Sequence, residues 1–181
     1  MLRIVMLSAL AVLFAASASA TVLLPTDLGE LSRSARSIAR GRVVALEPRW
    51  TDNHRTVETI VTLEADSYLK GALGTIVRFR VPGGELGRYR SIVVGAPQFA
   101  VGQLIVVFLG VRGASVPYVL GLSQGVFRLV RDRDGGWLVT PSVTLPVTGG
   151  LARIVRGDLV RRSMALADFE QRVRALAGAA R

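Results

Sequence analysis

Residues 56–66 read TVETIVTLEAD. Val57, Val61, Leu63 and Ala65 fall on one parity, and Glu58, Thr62, Glu64 and Asp66 on the other; only Ile60 breaks the alternation. Successive side chains of a strand point to opposite faces, so a period of two predicts a strand with one buried and one wet face. Thr75–Val81 repeats the pattern, with Val77, Phe79 and Val81 inward and Arg78 and Arg80 outward. A chain carrying such runs folds around a sheet.

The remaining segments fit that frame. Leu104–Leu109 (LIVVFL) is apolar throughout, which predicts a central strand covered on both faces. Ile38–Leu46 reads as the first strand, ending at Glu47–Pro48, and Tyr89–Val94, Tyr118–Leu122, Gly125–Val130 and Gly136–Thr140 as further short strands. Lys70–Gly74 and Asp132–Gly136 are turns, the second by its Asp-Gly step. About eight short strands with turns every eight to twelve residues predict a mainly β fold, a small antiparallel barrel of the OB or netrin-like type. Closure would remove the exposed strand edges.

Two helices flank the strands. Asp27 and Glu30 stand at capping-box spacing and predict a short N-terminal helix over Leu28–Ala35. Leu166, Phe169, Val173 and Leu176 recur at +3, +4 and +3, one face of an amphipathic C-terminal helix over Met164–Leu176. Arg172 and Arg174 lie off that face, and packing on the barrel accounts for the apolar stripe.

The first twenty residues read as an address. Arg3 precedes an apolar run, Ile4–Ala16, and Ala18-Ser19-Ala20 supplies the small residues that a signal peptidase accepts. The run is short for a membrane span, which needs roughly twenty residues, and no basic cluster follows it. The expected organisation is a signal peptide over 1–20, a barrel domain with its N-terminal helix over 21–146, and a connector (Val147–Gly157) with the C-terminal helix over 147–181. The mature chain is expected to be periplasmic or extracellular, with no transmembrane segment.

Composition narrows the chemistry. The 181 residues are 50% hydrophobic, enough to bury the core of one domain. With no cysteine, disulfides, thiolate metal sites and cysteine nucleophiles are excluded. His54 is the only histidine, so a histidine-rich metal site is excluded, and a Ser-His-Asp triad would need that residue. No cofactor or metal is expected. The net charge of +10 is almost all arginine, Lys70 being the only lysine. Such a skew, with many Ala and Gly, reads first as coding bias, yet a positive surface attracts anions whatever its origin.

Each catalytic pattern has a plainer account. Ser67-Tyr68-Leu69-Lys70 fits S-x-x-K, the acylation motif of penicillin-recognising enzymes, without the companion S-D-N and K-T-G. A serine hydrolase using Ser67 and Lys70 is the enzymatic alternative; a strand end running into a turn is the plainer one. His54 lies among polar residues between two strands, with Asp52 nearby and no evident serine partner. Asp132-x-Asp134-Gly135 resembles the start of a calcium loop but lacks the later ligands. In RVPGGELGRYR (residues 80–90) the glycines suit a turn, since the Lys-Ser/Thr ending of a phosphate loop is missing.

ARGRVVALEPRW, TIVTLEADSYLKG, RVPGG, GAPQFAVGQLIVVFL and GLSQGVFRL together resemble a group of exported bacterial proteins of unknown function, over roughly Ser37–Leu129. In that group a strand, a long hairpin, a VLKG turn, VPGG and an apolar strand recur. The whole is similar to the oligonucleotide/oligosaccharide-binding (OB) barrel in its exported netrin-like form, which includes tissue inhibitors of metalloproteases. The resemblance implies a binding module and, by fold analogy, a modulator of exported proteases. Netrin-like inhibitors depend on an N-terminal cysteine that chelates the protease zinc. This chain has none, and Thr21, expected at the mature terminus, offers only its amine.

The candidate binding site is an arginine face. If Thr75–Val81 and Arg88–Val94 form a hairpin, Arg78, Arg80, Arg88 and Arg90 crowd one side, beside Tyr89 and a glycine tip. Like charges placed opposite each other are destabilising, so something should offset them. Glu64 and Asp66 opposite Arg78 and Arg80 would do so internally. An external anion would do so as ligand: an acidic protein surface or an anionic envelope polymer, for which arginine's planar fork is suited. The shortage of aromatic platforms argues against single-stranded nucleic acid.

Overall fold

The computed structural model describes residues 26–142 and 162–178. The expected signal segment, Thr21 and the connector Val147–Gly157 lie outside the described residues. Among the described residues the architecture is mainly β with two α-helices.

A long hairpin dominates. Strand β1 (Ser37–Trp50) pairs antiparallel with β2 (Val57–Lys70) along almost its whole length. β1 runs past Pro48, where the sequence predicted its end. Beyond Arg42 its second edge no longer pairs with a strand, so the missing Pro48 N–H costs no ladder bond. Register shifts near Gly41 and Val44 mark bulges, which bend the pair. A Cβ on Gly41 would lie 2.1 Å from the Glu64 carbonyl oxygen, so the close approach of the two backbones requires glycine there.

β2 pairs antiparallel with β3 (Ile76–Pro82). β1 also pairs, along its first half, with β6 (Leu104–Gly110). β6 pairs with β7 (Tyr118–Val119) near its end and with β8 (Val126–Arg131) near its start. β7 meets β3 in parallel, through Arg80 and Tyr118. The sheet continues from β8 to β9 (Trp137–Pro141) and β10 (Met164–Ala165).

Two short strands, β4 (Gly84–Leu86) and β5 (Tyr89–Ser91), form a separate hairpin that lies against β1 and β2. The sequence predicted one strand over Tyr89–Val94. It stops at Ser91 because a turn begins at once, closed by Ala96 N–H to Val93 O and a left-handed Gly95. β7 is likewise shorter than expected, because Gly121 and Leu122 both take left-handed backbone.

β6 carries the prediction made for LIVVFL. Ile105, Val107 and Leu109 enter a core with Val61, Leu63, Val77 and Phe79, while Val106 and Phe108 enter a second cluster on the opposite face. That second cluster is roofed by helices α1 (Leu28–Ser34) and α2 (Leu166–Gly178), which pack on each other and on the sheet. Phe169 of α2 is fully buried against Phe127, ring centroids 4.9 Å apart, and its burial contributes about 2 kcal/mol. α2 begins two residues later than its periodicity suggested, because Met164 and Ala165 pair with β9.

α1 is capped at both ends. Asp27 Oδ1 accepts from Glu30 N–H at the start. At the other end Lys70 Nζ donates to the carbonyls of Ser32 (2.9 Å) and Arg33 (2.8 Å). The GLSQG stretch is a buried 3-10 turn, Leu122–Gly125, whose Gln124 accepts from Thr26 N–H and so ties down the chain ahead of α1. No helix among the described residues is long and apolar enough to cross a membrane.

Candidate functional site

The register of β1–β2–β3 sets the rows of side chains that share the face of Arg78 and Arg80, on which Glu58 and Ile60 are buried. Arg49, Glu58 and Pro82 align in one row and Glu47, Ile60 and Arg80 in the next, with Thr62 opposite Arg78 beyond. In these rows Arg49 and Glu58 are the only opposite charges at directly paired positions. Arg49 Nε and Nη2 both reach Glu58 Oε1, at 2.9 and 2.7 Å. Arg78 Nη2 reaches Glu47 Oε2 at 2.7 Å. The Arg49–Glu58 pair is the tighter constraint, because Glu58 is almost buried; both members of the Arg78 pair are over half exposed and contribute little.

The five residues of the expected arginine face do not form one cluster. The supposed hairpin partner of β3 pairs with β4 instead, so Arg88, Tyr89 and Arg90 belong to the β4–β5 hairpin. Gly83, Gly84 and Gly87 all have positive φ there, and the backbone turns sharply out of β3. Arg90 faces Glu85 across that hairpin at 3.0 Å. Arg88 lies over the Tyr89 ring (5.1 Å) and donates to its hydroxyl, while Tyr89 meets Trp50 edge-on at 5.0 Å. Nor do Glu64 and Asp66 answer Arg78 and Arg80. Glu64 pairs in register with Ile76, and Asp66 accepts from Arg40. Internal neutralisation is real, but β1 and β4 supply the acids.

Arg80 is different. Its row places Ile60, not an acid, beside it; the residue is half-buried, and its guanidinium has no hydrogen-bond or ion-pair partner among the described residues. It lines a cavity of ≈ 370 Å³ between the β1–β2 loop and the β6–β7 loop. Arg112, from the β6–β7 loop, lines the same cavity with its guanidinium over the Tyr118 ring at 5.3 Å. Arg112 also lacks a carboxylate partner among the described residues. A larger cleft of ≈ 530 Å³ lies on the other side of Pro82, Gly83 and Val93, bounded by the β4–β5 hairpin and by Phe99. Ile92 and Val94, at 76% and 71% exposure, leave an apolar ridge beside it.

Residues of the catalytic patterns make structural contacts. Both hydrogen bonds of the Lys70 ammonium go to α1 carbonyls. His54 sits exposed on the β1–β2 turn in left-handed backbone, donating its N–H to Thr51 O. Asp132–Gly136 closes the β8–β9 turn, with Asp132 Oδ1 accepting from Arg133 N–H and Arg131 stacked 4.0 Å over Trp137. Among the described residues no group of acids and histidine is placed to hold a metal ion.

The most connected charge lies away from these two cavities and borders a third, of ≈ 440 Å³, between β9 and α2. Arg40 binds Asp66 through Nε (2.9 Å) and Glu170 through Nη1, and Glu170 also holds Arg174. Burial works against the Arg40 charge, but hydrogen bonds and attraction from Asp66 and Glu170 outweigh it, and its pKa is raised above the ordinary value.

Arg112, Tyr118, Arg49 and Glu58 were missed by sequence reading. Carrying β1 on to Trp50 would have placed Arg49 opposite Glu58, as the hairpin register does. Arg112 sits in a loop with no periodic signal, and its approach to Arg80 depends on a pairing between distant strands. No family model, no curated protein and no solved structure matches this chain.

Proposed function

We propose that this chain is an exported, non-enzymatic binding domain that holds a protein surface or an anionic envelope component at one end of a small barrel. The observation that carries the reading is the pair Arg80 and Arg112, two guanidiniums lining one cavity with no carboxylate partner among the described residues. The pairings β1–β2, β2–β3, β3–β7, β7–β6 and β6–β1 return to their starting strand, which supports a five-stranded barrel of the OB type. In that fold the face of the second and third strands, flanked by the loop after the first strand and the loop before the last, holds ligands. The Arg80 cavity is built from the corresponding parts.

Export rests on Arg3, the apolar run Ile4–Ala16 and Ala18-Ser19-Ala20. A binding role in place of hydrolysis is supported by the engagement of Lys70 with α1. A protein or polymer is favoured over nucleic acid because aromatic platforms are few, and Tyr89 and Tyr118 each have one face covered by an arginine, Arg88 and Arg112. The test is two measurements on the full chain: retention on an anionic polysaccharide column, and labelling by serine-reactive probes. Salt-sensitive retention without labelling is the expected result. Labelling that disappears in Ser67→Ala would replace this reading with a hydrolase.

A further inference from the structure

We infer that the ≈ 370 Å³ cavity between the β1–β2 and β6–β7 loops is a subsite for a single carboxylate carried on a short apolar body, held by Arg80 and Arg112. The inference rests on the proposed binding role and names the chemistry that the site takes.

The charge balance of the cavity is the first reason. Two cations and one anion line it: Arg80, Arg112 and Glu58. Glu58 is already spoken for, because Arg49 donates twice to its Oε1. Arg80 and Arg112 are left facing the same space. A planar guanidinium matches a carboxylate in two parallel hydrogen bonds, and charge-assisted bonds of this kind are among the stronger polar contacts.

The walls are the second reason. Val57, Pro82, Val119 and Leu122 line the cavity with aliphatic surface, and its volume lies at the small end of ligand pockets, which run from about 300 to 1,000 Å³. A bare inorganic anion would leave that surface facing a strongly hydrated ion. A carboxylate attached to an aliphatic or aromatic group uses guanidinium and wall together.

That ligand chemistry has two sources, the C-terminal residue of a polypeptide and a free short-chain carboxylic acid. Titration calorimetry on the full chain separates them with four probes: acetyl-Ala-Ala-Leu with a free C-terminus, the same peptide amidated, 4-methylpentanoate and inorganic phosphate. The free-acid peptide or 4-methylpentanoate is expected to bind, and amidation to weaken the peptide about tenfold or more. Arg80→Gln and Arg112→Gln should each cost about tenfold, and Arg78→Gln less than about twofold. Tighter binding of the peptide identifies a polypeptide end; equal or tighter binding of 4-methylpentanoate identifies a small acid. Equal affinity for acid and amide, displacement by phosphate at lower concentration than by 4-methylpentanoate, or no binding of any probe overturns the assignment. If Arg80→Gln misfolds, Arg112→Gln, whose residue lies exposed in a loop, decides alone. Failure here with column retention still lost on removing Arg80 would leave the broader binding role standing and remove only the carboxylate subsite.

Discussion

Arg40 Nη1 reaches Glu170 Oε1 at 2.5 Å across 130 residues of sequence, joining the first strand to the last helix. The same guanidinium binds Asp66 on β2, so three elements meet on one side chain. Both Arg40 and Glu170 are mostly buried, at 24% and 13% side-chain exposure, where an unpaired charge is costly.

Glu170→Gln should therefore loosen α2 without unfolding the sheet. The variant keeps the side-chain volume but removes the charge shared by Arg40 and Arg174, and a cost of about 1–3 kcal/mol is expected. Hydrogen exchange over 164–178 reads it directly: faster exchange there, with β2 and β6 unchanged. Unaltered exchange in α2 would show that apolar packing of Phe169 and Val173 holds the helix alone. The pH dependence has a definite sign. The Arg40 pKa is raised in the fold, so the stability from its charge is present below the unfolded value and is lost only as pH rises through the folded one. Alkaline titration between pH 7 and about 10 should leave this contribution intact.

Gly41→Ala should destabilise the β1–β2 pair. The added Cβ would meet the Glu64 carbonyl at 2.1 Å and the Ala65 Cα at 2.8 Å, both backbone atoms that cannot swing away. Overpacking of this kind costs about 1–3 kcal/mol, read as a lower urea midpoint. Gly136→Ala is the control, since nothing lies within 4 Å of its Cβ position. Equal midpoints for the two variants would contradict the close approach.

Lys70→Met retains the aliphatic stem and removes the two bonds to Ser32 and Arg33 carbonyls. A loss of about 1 kcal/mol in thermal unfolding is expected, as for other charged groups at a helix C-terminus. An unchanged melting temperature would mean that the cap adds nothing to α1.

Much of the sheet was legible because alternation is a local signal. β2, β3 and β6 fall within a few residues of where their periodicity puts them, and LIVVFL is covered on both faces as its composition demands. The helices were legible for the same reason, down to the Asp27 cap. What failed was non-local. The arginines of RVPGGELGRYR were assigned to one hairpin because they are neighbours in sequence, whereas the glycines between them fold the chain away into β4–β5. Glu64 and Asp66 were expected opposite Arg78 and Arg80, but Arg78 is met by Glu47 and Arg90 by Glu85, because β1 outruns its proline and β4 has no hydrophobic signature. Of those four arginines Arg80 alone has no side-chain hydrogen-bond or ion-pair partner among the described residues, and Arg112, which lines the same cavity, lies in a loop that no periodicity marks.

Salt-gradient elution from an anionic polysaccharide column tests that assignment most directly. Two double variants carry the same net charge: Arg80→Gln with Arg112→Gln, and Arg78→Gln with Arg90→Gln. Diffuse attraction to a basic protein would shift both equally, since only total charge matters at long range. With Arg80 and Arg112 as the binding pair, their variant should elute at much lower salt, while the Arg78/Arg90 variant, stripped only of residues already bound to Glu47 and Glu85, stays close to wild type. Coincident elution of the two double variants would contradict a site at the Arg80 cavity.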